Sequence, residues 1–169
     1  YYTDQQIWEI ECNTVLADGW LFVGFVHEFL NSGDVIPISI AGKPILLVKN
    51  NKSKITAFHN VCSHRCLKLV DEKKNVGKII RCPYHSWTYD LDGKLKVSPH
   101  FGGTNQHTPK GFNNSDHGLK PIRIHIWHDW IFINLNLYLI YISEPTRTRL
   151  SSYAVFILKK LYLLPLLHI

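Results

Sequence analysis

Cys62-Ser63-His64 and Cys82-Pro83-Tyr84-His85, with seventeen residues between them, constrain this chain more than any other part of it. A CxH pair followed by a CxxH pair offers two thiolates and two imidazoles from two short loops. Two Cys and two His can share a [2Fe–2S] cluster, with both thiolates on one iron and both imidazoles on the other. A structural zinc site built from Cys62, Cys66, Cys82 and His85 is a second reading, with acceptable tetrahedral chemistry. A third takes these as reduced thiols and scattered histidines of an ordinary domain, since His is abundant at ten residues. The zinc reading leaves His64 without a role; the cluster reading uses all four positions.

With 169 residues, 46% of them hydrophobic, the chain can bury one core of its own. A charged fraction of only 19%, with 12% aromatics, argues against disorder. Once Cys62 and Cys82 are assigned, Cys12 and Cys66 remain. They fall in different elements and read as free thiols, which implies a reducing, cytoplasmic setting. The first twenty residues lack the basic start and apolar run of a secretory signal. No methionine occurs, so the chain is expected to be a fragment or trimmed form. Its formal charge of +6 is uneven. Residues 1–60 carry four Lys/Arg against six Asp/Glu, and residues 61–110 carry nine against four. No basic helix or nucleic-acid motif accompanies this bias, so no nucleic-acid partner is expected. The basic side, with Lys68, Lys73 and Lys74, instead suits an acidic electron-donor protein.

Thr3-Asp4-Gln5-Gln6 reads as the N-cap and first turn of a short helix reaching about Cys12, with Ile7, Trp8 and Ile10 as its apolar side. Short β-rich runs follow at 20–26, 35–40, 45–49, 55–59, 78–81, 87–89, 95–97, 122–126 and 130–134. Turn residues at 41–44, 50–53 and 92–93 connect them. This pattern predicts a mainly all-β fold of stacked antiparallel sheets or a partly open barrel, with a short N-terminal helix. Both ligand pairs fall in loops just after strands. The Gly-, Asn- and His-rich stretch 100–117 reads as a surface loop. No stretch reaches the roughly 20 apolar residues a membrane span needs.

The stretches Phe58-His-Asn-Val-Cys62-Ser-His64-Arg65 and Arg81-Cys82-Pro83-Tyr84-His85-Ser86-Trp87-Thr88-Tyr89-Asp90-Leu91-Asp92-Gly93 resemble Rieske-type aromatic-ring-hydroxylating oxygenases. More narrowly, they resemble the N-terminal part of the alpha subunit. Trp20, Gly33-Asp34, Gly42 and His128-Asp129-Trp130-Ile131-Phe132-Ile133-Asn134 fit as well, so the resemblance covers roughly residues 1–136. Cys66 and Ser86 depart slightly from it, standing where such sequences usually carry a small residue, often glycine.

The resemblance implies a Rieske [2Fe–2S] cluster on Cys62, His64, Cys82 and His85, and one-electron transfer. It implies segments 1–34 (N-terminal helix and first strand), 35–136 (Rieske domain) and 137–169 (an atypical tail). In the family a reductase or ferredoxin donates the electron. The acceptor is a mononuclear Fe(II) held by two His and one Asp in a C-terminal catalytic domain, reached across to a neighbouring subunit. That site hydroxylates or demethylates the substrate. No comparable set follows residue 136, and His125, His128 and Asp129 would not converge on a strand, so no catalytic residue is expected in this chain. A free-standing Rieske ferredoxin and a zinc-stabilised interaction module are the alternative functions. Trp87 lies two positions after His85, where high-potential Rieske proteins have a serine, and Tyr84 replaces the extra cysteine that braces their loops. Both imply a low potential. Pro83, Tyr84 and Trp87 are expected to pack over the cluster or to serve as core aromatics beside a turn. Arg65 reads as a docking cation or a surface partner of Asp71 or Glu72.

Overall fold

The run Ile45-Leu46-Leu47-Val48 is buried along its whole length, and its alternation explains how the molecule is layered. The structure, a computed structural model, describes residues 3–103 and 109–136. Its elements are helices α1 (Gln5–Asn13) and α2 (Val15–Asp18), then ten strands. The strands are β1 (Leu21–Phe25), β2 (Asp34–Ile40), β3 (Lys43–Lys49), β4 (Ile55–His59), β5 (Lys74–Asn75), β6 (Ile79–Arg81), β7 (Thr88–Asp90), β8 (Leu95–Val97), β9 (Pro121–Trp127) and β10 (Trp130–Asn134). Turns of 3₁₀ helix occupy Val26–Glu28 and Asn114–His117.

Seven strands form one sheet in the order β1-β10-β9-β4-β3-β2-β5, and β6-β7-β8 form another. All the pairings are antiparallel. Side chains alternate along a strand, so β3 serves two cores. Ile45 and Leu47 join Ile55, Ala57, Ile122, Ile131 and Ile133. Leu46 and Val48 join Phe58, Ile80, Trp87, Tyr89 and Leu95, together with Cys62 and Cys82. In the first core, Ile131 and Ile133 of β10 meet residues of β3, three places along the same sheet. They can do so only because the sheet curls, which gives the partly open barrel. The second core joins the large sheet to the small one and contains both cysteines of the CxH and CxxH pairs. The fold is mostly β, as the strand pattern implies.

Two turns set these registers. Ala41 and Gly42 both have positive φ (50° and 70°), the combination that a two-residue hairpin with native twist requires. At Gly93 (φ 80°) a Cβ would lie 2.5 Å from the Phe58 ring, so only glycine lets this turn press against β4.

Several expectations change. Asp4, not Thr3, caps α1, its Oδ1 accepting from the Gln6 and Ile7 amides at 2.9 and 3.4 Å. Cys12 is the buried residue of α1, while Trp8 and Ile10 are exposed. Strand β5 is only two residues long, too short to leave a periodic signal. Segment 1–34 is tied to the rest of the fold: β1 pairs with β10, and the Asn134 side chain donates to the Asp18 and Gly19 carbonyls at 2.8 and 3.1 Å. The described residues up to Leu135 form one compact unit. The expected tail, 137–169, lies outside the described residues. Among the described residues no helix is long and apolar enough to cross a membrane.

Candidate metal centre

Asn60, buried just after β4, closes the neck of the first ligand loop. Its Oδ1 accepts from the Leu69 and Val70 amides at 3.3 and 3.1 Å, and its Nδ2 donates to the Val70 carbonyl at 2.7 Å. A single bridge, Val61 to Lys68, then frames residues 62–67. The second loop, 82–87, is framed by the equivalent pairing of Arg81 with Thr88 at the ends of β6 and β7.

Inside these frames the loops are conformational twins. The Cys62 amide donates to the Leu67 carbonyl and the Cys82 amide to the Trp87 carbonyl, both at 2.8 Å. The Cys66 amide donates to the Cys62 carbonyl at 2.9 Å, and the Ser86 amide to the Cys82 carbonyl at 3.1 Å. Cys66 and Ser86 share a left-handed φ of 56° and 58°. A left-handed φ favours glycine, which accounts for the glycine that the resemblance leads one to expect at this fifth position. In this alignment His64 takes the third place of its loop and His85 the fourth of the other. One residue of offset brings the two imidazoles together, with ring centroids 4.7 Å apart and planes at 62°.

Cys62 and Cys82 are buried to 1% and 2% exposure, whereas His64 and His85 are only partly covered. Burial pushes the Cys62 thiol up, countered in part by the Tyr89 hydroxyl at 3.2 Å. Burial also raises the Tyr89 phenol, which stays protonated and available as a donor. Tyr89 accepts from the Ser63 amide at 3.1 Å. Burial, then His85 and Arg65, hold His64 below its ordinary value, which favours the neutral ring that ligates metals. His85 Nδ1 is buried with no hydrogen-bond partner. A buried ring nitrogen left unpaired is costly and fits the role of a metal ligand.

Two buried thiols inside and two imidazoles nearer the surface form a donor set that fits a [2Fe–2S] cluster. The zinc set does not assemble: Cys66 is exposed while Cys62 and Cys82 are buried. Among the described residues no three His, Cys, Asp or Glu side chains converge as a single ion needs. Two irons with two protein ligands each make no such demand.

Of the surrounding residues, Trp87 is buried and stacks flat on His64, at 4.8 Å and 6°. Tyr84 lies over His85 at 3.7 Å but is 58% exposed, and Pro83 is exposed as well, so Trp87 is the core aromatic of the three. Arg65 is exposed, and Asp71 pairs with Lys68 at 3.2 Å instead. The described residues of 100–117 lie at the surface, as expected, but they also carry rings that pack inward. Phe101, Phe112 and His117 meet the Trp87 ring edge-on at 5.2, 6.0 and 6.1 Å. The polar composition of that stretch hides its aromatic anchors. His125, His128 and Asp129 do not gather: His125 packs on Trp20, and Asp129 binds the His27 side chain and backbone amide. Asn60 and Tyr89 are the residues that spacing alone passes over. A polar residue between an apolar β run and the first ligand was the available signal for Asn60, and for Tyr89 the strand parity that turns it inward with Trp87.

A family model for the Rieske [2Fe-2S] domain matches residues 19–108, which include both loops. The glycine betaine monooxygenase oxygenase subunit of Pseudomonas aeruginosa is 38% identical over 136 residues, 80% of this chain and 30% of that protein. The carnitine monooxygenase oxygenase subunit of Escherichia coli is 32% identical over 80% of this chain and 35% of its own length. Among solved structures, the apo quaternary ammonium Rieske monooxygenase CntA superposes with a TM-score of 0.71 at 28% identity, over 80% of this chain and 38% of that one. Naphthalene 1,2-dioxygenase with indole bound gives 0.77 at 25% identity, over 94% and 34%. The chain thus spans about a third of the length of the curated relatives it matches.

Proposed function

This chain belongs to the Rieske [2Fe–2S] domain family, and from that premise we propose that Cys62 and Cys82 hold one iron of its cluster and His64 and His85 the other. The observation that carries the assignment is the pair of twin loops, which bring two buried thiols and two imidazoles together and leave His85 Nδ1 buried without a partner. When bound, the cluster supplies one-electron redox chemistry, at a potential raised by imidazole ligation above that of an all-cysteine cluster. The chain's own residues do the rest. The core between the large and small sheets buries the thiols, the Tyr89 hydroxyl donates toward Cys62 Sγ, and Trp87 covers one face of His64. His64 and His85, being partly exposed, form the side from which an electron enters and leaves.

In the intact protein this domain is the electron inlet of an oxygenase, with residues 1–34 as its N-terminal helix and first strand and 35–136 as the cluster-bearing part. A reductase or ferredoxin supplies the electron. It passes on to a mononuclear non-haem iron in a catalytic domain or neighbouring subunit, whose ligands are not among these residues. The free thiols of Cys12 and Cys66 support a reducing, cytoplasmic setting. Glycine betaine and carnitine, named by the relatives of highest identity given above, are both trimethylammonium compounds. We therefore place the whole enzyme's substrate among small quaternary amines. The integration of the N-terminal segment, with β1 paired to β10, favours this reading over a free-standing ferredoxin.

Anaerobic reconstitution with iron and sulfide tests the cluster assignment. A visible chromophore with a reduced-state EPR signal averaging near g ≈ 1.9 is expected for Rieske ligation. Substituting His85 with Cys should shift that signal toward the lower-g-anisotropy, all-thiolate pattern or abolish cluster binding. A colourless protein, or an unchanged spectrum in that variant, refutes the assignment.

A further inference from the structure

Resting on the reading of His64 and His85 as ligands of one iron, we propose that Trp87 is a positioning residue for His64. With Phe101 it forms an aromatic slot that fixes the plane of that imidazole and has no counterpart at His85 among the described residues. The His64 ring lies parallel to the indole, at 4.8 Å and 6°. Phe101 stands edge-on to both rings, at 5.7 Å and 88° from His64 and 5.2 Å and 86° from Trp87. The slot is itself wedged in place. Phe112 and His117 stack on each other at 4.4 Å and 12°, and both meet the indole edge-on. Phe112 also leans on Phe101 at 4.8 Å. Ser63, next to His64, donates its hydroxyl to the Gly118 carbonyl at 2.7 Å, tying the ligand loop to the end of the segment that carries Phe101 and Phe112.

The twin loops make the asymmetry plain. Trp87 is the sixth residue of the second loop, and its equivalent in the first is Leu67. Trp87 is 1% exposed and faces His64; Leu67 is 41% exposed and supplies no ring beside His85. Among the described residues, His85 has, apart from His64 itself, the tilted ring of Tyr84, its own chain neighbour, which is 58% exposed. A ligand held in its binding orientation loses less rotational freedom when the metal binds. His64 is therefore the anchored imidazole and His85 the one that detaches first when the cluster is attacked.

The whole chain is reconstituted as wild type, W87F, W87L and F101L. The readouts are the half-life of the visible bands under an iron chelator and the ¹⁴N couplings of the two histidines in the reduced, EPR-active state. W87L should lose its cluster about tenfold faster than wild type, the lower end of what displaced ligand supports cost. One of its two ¹⁴N couplings should shift while the other stays. W87F keeps a flat ring and should hold the wild-type half-life, and F101L should fall between. An unchanged half-life and unmoved couplings in W87L overturn the proposal. So does a shift of both couplings together, which marks general loosening instead. If W87L fails to fold, as judged by far-UV circular dichroism, F101L decides: its side chain is 40% exposed, and wild-type behaviour there overturns the proposal. A wild-type chain with no chromophore is a different result, which removes the cluster reading and this proposal with it.

Discussion

At the scale of single residues, one ligand sulfur has a buried hydroxyl beside it. The Tyr89 hydroxyl, 3.2 Å from Cys62 Sγ, is a donor that the pattern of ligands does not reveal. A hydrogen bond to a thiolate favours the electron-rich reduced cluster, so removing it lowers the potential. A bond to a charged group contributes about 1.5 kcal/mol, so Tyr89→Phe should lower the midpoint by on the order of 50 mV. Protein-film voltammetry checks this, and an unchanged midpoint would show that the hydroxyl does not act on the cluster. Trp87, standing where a high-potential protein has serine, keeps its indole N–H buried and without a partner among the described residues. Cys66 makes a separate point. Its φ of 56° burdens a non-glycine residue, and its side chain is exposed. Cys66→Gly should therefore raise the urea midpoint, by up to about 1 kcal/mol after the added freedom of the unfolded chain is counted.

At the scale of elements, most strands were legible because β-branched and aromatic runs alternate between turn residues. The runs at 55–59, 95–97 and 130–134 coincide with β4, β8 and β10 to the residue. What escaped has physical reasons. Strand β5 pairs only Asp34 and Val35 with Asn75 and Lys74, and two residues have no period. The stretch 100–117 looks like a loop because its glycines and asparagines outnumber the three rings that anchor it. Asn60 escaped because its value lies in partners nine and ten residues away. Yet this one side chain satisfies two amides and one carbonyl at the neck of the first ligand loop. Asn60→Ala would leave those groups buried and unpaired. The variant should lose about 3 kcal/mol of stability, read from the urea midpoint, and should take up iron less completely. Asn60→Ala with native stability would mean that the neck closes without its amide.

At the scale of the whole molecule, the remaining question is how charge is spread over the face that a donor must approach. The net excess of positive charge over 61–110 is partly consumed within the chain. Lys68 pairs with Asp71 at 3.2 Å, Lys73 with Glu28 at 3.8 Å and Lys96 with Asp90 at 3.1 Å. Exposed pairs of this kind add little stability, but they do cancel field. Reversing Lys68 or Lys73 to Glu therefore acts twice, removing a cation and leaving its former acidic partner uncompensated. Charge complementarity changes the rate of encounter more than the strength of the complex. Screening shortens its reach to about 10 Å at 0.1 M salt. Stopped-flow reduction of the reconstituted chain by a negatively charged ferredoxin should then slow severalfold in the Lys68→Glu, Lys73→Glu, Lys74→Glu variant at low ionic strength. The difference from wild type should close as salt approaches 1 M, because both proteins are then fully screened. A uniform slowing at every salt concentration would point to a damaged cluster site instead. Equal rates at low salt would mean that the donor approaches from another face, leaving the partly exposed His64 and His85 rings to be reached without these lysines.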